Sequence, residues 1–198
     1  MHDLIAITGA GISKASGIPT FEEMVDLRSR LSRDYFNAHP GEFYDGLLKM
    51  KETIDRARPN PAHLALAEHG IPVVTMNIDG LHSKAGSRLV LEVHGNLEQV
   101  ICRKCDERFD FYVIRDSIYC SRCGELLQPD VVLYGDMIRY YADAIDLIGS
   151  SREVLVVGTS FYTSTVNEFV YRARLAGKKI SIINQSAETE VAKFLERF

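Results

Sequence analysis

"IAITGAGISKASGIPTF", residues Ile5–Phe21, is the stretch whose reading decides the fold. It begins as an apolar run and then breaks into Gly9, Gly11 and Gly17, with the hydroxyls of Ser13 and Ser16 between them and Pro19 behind. An apolar run that ends in glycine reads as a buried strand feeding a tight turn into a helix. Such a turn lets backbone N–H groups and the free donors of a helix start face a phosphate. The spacing departs from the G-x-G-x-x-G dinucleotide fingerprint, because Lys14 stands where the third glycine belongs. On these residues alone the loop is either a phosphate cradle of another kind or a strand–helix turn with no ligand.

Working outward, buried strands are expected at 3–8, 71–76 (IPVVTM), 89–93 (LVLEV), 129–134 (PDVVLY), 154–158 (VLVVG) and 179–184 (KISIIN). Helices are expected at 61–69, where Asn60 caps and Pro61 takes the first helical position, and at 143–150, 166–176 and 188–198. The segment 22–51 is helical in period and is interrupted at Ala38-His39-Pro40-Gly41. Strands apolar throughout suit a sheet covered on both faces, and their alternation with helices implies an α/β fold with a doubly wound parallel, Rossmann-like sheet. Ligands of such sheets sit at the carboxyl ends of the strands. The loops expected there are GAGIS, NIDG, HGN, YGD, GTS and NQS, all small, polar or glycine-bearing.

Composition bounds the function. The 198 residues allow one domain with an insertion, and 46% hydrophobic residues supply a core. A net charge of −4 and a pI near 5.9 give no basic footprint, so no direct nucleic-acid partner is expected. The first residues lack a basic n-region and a cleavage site, and no apolar run reaches the ~18 residues of a membrane span. A soluble, cytoplasmic protein with no membrane partner is the expectation.

Cys102, Cys105, Cys120 and Cys123 form C-x2-C-x14-C-x2-C. In a reducing compartment, two such knuckles point to a tetrahedral structural Zn²⁺ site, with a redox pair or free thiols as the other reading. Four thiolates leave no open coordination position, so the metal would stabilise a small insertion. Arg103, Lys104, Arg108 and Arg122 would offset its negative charge.

Among the strand-end loops, Asn77 and Asp79 offer an amide and a carboxylate, or else an Asx turn. His94, beside Gly95, ends the strand 89–93 in the same way, and His82 reads as a helix-surface or packing residue. Phe21 reads either as a ring over a flat group or as core.

Taken together, the segments GAGIS-x-x-SGIPTF (9–21), PNPAH-x-AL (59–66), NIDGLH-x-x-AGS (77–87), E-x-HG (92–95), the four cysteines, P-x-VV-x-YG (129–135), GTS (158–160) and IN (183–184) resemble the sirtuin family of NAD-dependent protein deacylases. They occur in the family's order across almost the whole chain. The resemblance implies a Rossmann-like NAD-binding domain (1–21, 59–98 and 127–198), a helical module serving as cofactor lid (22–58) and a structural zinc module (99–126). It implies that Gly9, Ala10, Gly11, Ile12, Ser13 and Thr20 contact the co-substrate NAD and that Phe21 shields its reacting carbon. Asn77 would position water, while Ile78 and Asp79 would hold the nicotinamide carboxamide. Gly158, Thr159, Ser160, Asn184 and Gln185 would line the adenosine side. Val132, Tyr134 and Gly135 would pair with an acylated-lysine peptide by strand addition.

His94 would be the general base. The acyl oxygen attacks the anomeric carbon as nicotinamide leaves, and His94 then helps a ribose hydroxyl attack the resulting alkylimidate. The products would be lysine, nicotinamide and O-acyl-ADP-ribose. A deacetylase is the leading reading. An ADP-ribosyltransferase or NAD glycohydrolase is the alternative, followed by a non-catalytic NAD- or peptide-binding module.

The chain also departs from the family pattern. Glu22-Glu23 stands where Arg and a glycine-rich loop are usual, and Met76 replaces a Gln. Arg would pair with phosphate where Glu repels it. FYTSTVNEF follows GTS without the usual Val-x-Pro, and the spaced Tyr and Arg of desuccinylating members are absent.

Overall fold

The computed structural model describes residues 2–20, 23–161 and 164–198. Strand β1 (His2–Thr8) runs into a 3-10 helix, Ala10–Ser16, in place of the expected α-helix start. The helical module follows as α1 (Val25–Arg30), α2 (Arg33–Ala38) and α3 (Pro40–Arg56), with a break at His39–Pro40 as the sequence indicates. Then come α4 (Pro61–Glu68), β2 (Val73–Thr75), α5 (Leu81–Lys84) and β3 (Val90–Glu92). A small antiparallel unit holds β4 (Gly95–Ile101), β5 (Arg108–Asp110) and β6 (Gln128–Val131). The chain closes with α6 (Tyr141–Gly149), β7 (Ser151–Val157), α7 (Ser164–Leu175), β8 (Lys179–Ile183) and α8 (Ala187–Leu195).

The main sheet is parallel in the order β3-β2-β1-β7-β8. Period-two alternation splits β1 between its faces. Leu4 and Ala6 pack with Leu66 of α4 and with Val191 and Leu195 of α8. Ile5 and Ile7 pack with Ile148 of α6 and with Phe169 and Val170 of α7. Burying each such side chain contributes about 1.5–3 kcal/mol. A third cluster joins the helical module to the small sheet, with Phe36, Phe43 and Tyr44 edge-to-face against one another and beside Leu97, Val100 and Phe111. The Tyr44 hydroxyl donates to the Leu127 carbonyl at 2.6 Å, which satisfies the buried ring's polar end.

The stretch 129–134 corrects the sequence reading. Its first residues lie in β6, which pairs antiparallel with β4 in the order β5-β4-β6 and takes no place in the parallel sheet. A short apolar run such as VVLY does not reveal which sheet will bury it. The loop Tyr134-Gly135-Asp136 is therefore held by the helical module. Tyr134 N–H donates to Leu31 C=O and Arg33 N–H to Tyr134 C=O, both at 3.0 Å, while the Arg33 guanidinium forks onto Asp136 at 2.9 and 2.7 Å.

Of the two readings of His82, helix surface or packing, the structure bears out packing. The residue is 2% exposed, its Nε2 lies 2.9 Å from Thr8 Oγ1, and its ring centroid is 4.8 Å from that of His63. Burial pushes both imidazoles down, His63 to about 4 and His82 to about 3, from an ordinary 6.5. The folded values lie below the unfolded one, so the unfolded chain takes up protons first as pH falls. Stability should decline from about pH 6.5 towards pH 4 as His63 and His82 must charge. Urea titrations of wild type and His82→Gln over that range check this, and equal slopes would refute it.

Two loops meet backbone to backbone. Gly11 N–H donates to Gly158 C=O at 2.7 Å, and a methyl on Gly11 would lie 2.7 Å from the Gly158 Cα. Gly158 itself has φ +63, and a side chain there would overlap the Ile12 backbone. Gly17, with φ +83, has open space around it. Gly17→Ala should cost only backbone strain, about 1–2 kcal/mol, and Gly158→Ala clearly more, as read from urea midpoints.

Candidate active site

The carboxyl ends of the parallel strands β1, β2, β3, β7 and β8 share one edge of the sheet, and hydrogen bonds tie the loops after β1, β7 and β8 together. Gly9 N–H donates to Val157 C=O at 3.0 Å, Gly158 N–H to Ile183 C=O at 2.8 Å, and Thr159 N–H to Asn184 Oδ1 at 3.0 Å. The loops after β1, β7 and β8 are thus a single ledge. Ala10 and Gly11 are half-buried on it, Ile12 is core, and Ser160, Asn184 and Gln185 are exposed at its rim.

Beneath the ledge lies a buried polar cluster. Ser13, fully buried, donates to Asp79 Oδ2 at 2.6 Å and accepts from Asn77 Nδ2 at 3.2 Å. Asn77 also donates to Gly9 C=O at 3.2 Å, and Asp79 Oδ1 accepts from Leu81 N–H at 2.9 Å. His63 completes the cluster. Its Nδ1 accepts from Asn60 N–H at 3.3 Å, so its Nε2 carries the proton and faces Ser13 Oγ at 3.4 Å. Asn60 in turn donates to Ile12 C=O at 2.7 Å and Ser16 Oγ at 3.0 Å, which locks α4 onto the 3-10 helix. Every member has a partner, as a buried polar network requires. Ile78 packs against the small-sheet core, and its carbonyl accepts from Leu97 N–H at 3.3 Å.

His94 leaves β3 half-buried. Its Nδ1 lies 3.1 Å from Met76 C=O, an acceptor only, so Nδ1 bears the proton and Nε2 carries the lone pair. Nε2 is 3.4 Å from Thr165 Oγ1 at the start of α7. Burial lowers the imidazole pKa, and the Met76 bond partly restores it. Val132 N–H donates to His94 C=O at 2.8 Å, so the end of β6 is bound to the histidine's own backbone. Gly135 is exposed with φ +98, and Tyr134 is 47% exposed.

Of the departures, Glu23 is accounted for locally. It is exposed, accepts from Lys14 Nζ at 2.7 Å and from Thr20 N–H and Oγ1 at 2.8 and 3.0 Å, and is pulled down to about 2, first by Lys14. Arg30 lies 5.9 Å over the Tyr35 ring. The Met76 side chain packs with the core on the α6/α7 side. Phe21 and Glu22 fall outside the described residues.

The four cysteine Sγ atoms lie within 4.8 Å of one another, with Cys102–Cys123 at 3.4 Å and Cys105–Cys120 at 3.7 Å. A tetrahedral ion with metal–sulfur bonds of about 2.3 Å needs sulfurs roughly 3.8 Å apart, so the cluster fits. Each knuckle closes on itself, Cys102 N–H to Glu107 C=O at 2.9 Å and Cys120 N–H to Glu125 C=O at 2.7 Å. Arg122 pairs with Glu107 beside it.

Sequence reasoning named the strand-end residues and missed their supports. His63 had a local signal, since it sits three residues after the cap Asn60. Thr165 had none, because it meets His94 across 71 residues of chain.

A family model described as the Sir2 family matches residues 9–165. The chain is 38% identical over 183 residues to NAD-dependent protein deacetylase 2 of Caldanaerobacter subterraneus, covering 82% of this chain and 73% of that one. A solved Sir2 homologue–NAD complex superposes with TM-score 0.87 at 27% identity, covering 98% of this chain and 88% of the other. Sir2Tm bound to a propionylated peptide superposes with TM-score 0.85 at 30% identity, covering 98% and 90%. By the extent of the family match and the identity of its relatives, this chain belongs to the Sir2 family.

Proposed function

We propose that this chain is an NAD-dependent protein-lysine deacylase, with acetyl-lysine in cytoplasmic proteins as its substrate class. The observation that carries the reading is His94 at the end of β3, whose Nδ1–H is fixed on Met76 C=O, so that Nε2 is the basic nitrogen and faces the Thr165 hydroxyl. Relatives named NAD-dependent protein deacetylase support it.

In this reading the ledge formed by Gly9, Ala10, Gly11, Gly158, Thr159 and Asn184 carries the phosphates and adenosine. The N–H groups of Gly9, Gly11, Gly158 and Thr159 are spent on bonds within the ledge, so they fix its shape, and the close packing at Gly11 and Gly158 keeps the ligand-facing backbone free of side chains. Asp79 and Ile78 hold the nicotinamide carboxamide, and Asn77 holds water. The acyl oxygen displaces nicotinamide without help from a base. His94 Nε2 then accepts the proton of a ribose hydroxyl as that oxygen attacks the acyl-derived carbon. Val132, Tyr134 and Gly135 border the peptide. Because Tyr134's amide and carbonyl are engaged with Leu31 and Arg33, its share of docking falls to the exposed ring.

Cys102, Cys105, Cys120 and Cys123 would hold Zn²⁺, which supplies stability and no chemistry. The helical module 22–58 serves as the lid.

Nicotinamide release from NAD by the zinc-loaded protein should require an acetyl-lysine peptide, and formation of acyl-ADP-ribose should fall at least a hundredfold in His94→Ala. Release without peptide would favour glycohydrolase chemistry instead. Because burial lowers the His94 pKa, the acidic limb of kcat/KM should lie below pH 6.5. A limb above that value would mean that another group titrates. Chelation, or Cys105→Ala, should strip one metal per chain and lower the thermal midpoint by several degrees, whereas His94→Ala should retain its metal.

A further inference from the structure

We propose that Thr165 is a positioning residue for His94. Its hydroxyl holds the imidazole before reaction and accepts the hydrogen bond of the Nε2 proton after it. This rests on the reading of His94 as the base.

The two ring nitrogens are not equivalent. A carbonyl oxygen only accepts, so the 3.1 Å contact with Met76 places the first proton on Nδ1. Nε2 then offers a lone pair, and the group facing it at 3.4 Å is Thr165 Oγ1. Thr165 is 6% exposed on the first turn of α7, whose next residues Val166, Phe169 and Val170 are core. Packing therefore fixes where the hydroxyl sits, while leaving its hydrogen free to rotate.

A hydroxyl can donate and accept, and that is what this position demands. With His94 neutral, Thr165 O–H donates to Nε2 and keeps the ring from swinging. When the ribose hydroxyl arrives it takes over that lone pair, and Thr165 turns its hydrogen away. Its proton then moves to Nε2, while the electron pair of that O–H bond forms the new bond to carbon. The imidazolium's Nε2–H donates to the Thr165 oxygen, so the proton stays on His94 while the ribose oxygen completes its bond to carbon. Hydrogen bonds to a charged group are about twice as strong as neutral ones, so the hydroxyl favours the state after transfer. A valine has the same shape and neither function.

Thr165→Val and Thr165→Ser test this in the zinc-loaded full chain. Two rates are compared: exchange of labelled nicotinamide into NAD with acetyl-peptide present, which needs no base, and single-turnover formation of acyl-ADP-ribose, which does. Val should slow product formation about tenfold and exchange much less, and Ser should recover most of the loss. Equal slowing of both rates, no slowing, or a Ser variant as poor as Val would overturn the assignment. His94→Ala, run beside them, separates the two readings. If it forms product at the wild-type rate, the base reading itself fails. If it is slow while Thr165→Val is not, only the role of Thr165 fails. Should Val prevent folding, the ¹⁵N signal of His94 Nε2 in the wild-type protein decides, since a shift typical of a nitrogen without a hydrogen-bond donor would rule Thr165 out.

Discussion

The backbone contact between Gly11 and Gly158 is the constraint from which the site follows. With a hydrogen bond of 2.7 Å and no room for a Cβ on either side, the loops after β1 and β7 cannot move independently. The 3-10 helix starts at that contact, and Ser13, two residues after Gly11, is fully buried. From there its hydroxyl reaches Asp79 and Asn77 on the loop after β2, more than 60 residues away in sequence. Glycine here sets the distance between two strands' ends more than it provides flexibility.

Three histidines lie around the crevice, and their surroundings divide their roles. His63 and His82 are enclosed and pushed towards strongly acidic values, so they are uncharged structural donors and acceptors at neutral pH. Ser13, Asp79 and Thr8 depend on that neutrality for their geometry. His94 is only half-buried, and a carbonyl stabilises its protonated form. Its imidazole pKa is lowered by burial as well, with the Met76 carbonyl acting in the opposite direction. Neither His63 nor His82 has a backbone carbonyl acting against burial in this way.

Much of this was legible in the sequence. The strands of the main sheet read from their apolar runs, because a sheet covered on both faces leaves no polar alternation to confuse them. The cysteine knuckles read from spacing, since a tetrahedral ion dictates it. The strand-end residues read from topology. The failures have a common cause. The run 129–134 looks like any buried strand, and its pairing with β4 depends on a register shift between Gly95 and Val100 that no periodicity records. β4 itself went unread, although GNLEQVI begins with the alternation of a half-buried strand. His82 with Thr8, and Thr165 with His94, are pairings across more than 70 residues, made by the fold and invisible to any local window.

The cysteine cluster and the crevice are separate in chemistry but joined through the backbone. β6 leaves the small sheet at Val131, and the next residue donates its N–H to the His94 carbonyl. Gly95, directly after that histidine, has φ +75 and lies so close to Asp130 that no side chain fits. Arg139 and Arg108 pin the same Asp130 from either side. The position of the His94 main chain is therefore set from two directions. β3 delivers it from the parallel sheet, and β6 delivers its partner from the small sheet beside the cysteine cluster. A metal bound by the four thiolates would need no part in any reaction to matter for this site, because it would brace the strand whose next residue holds the His94 main chain.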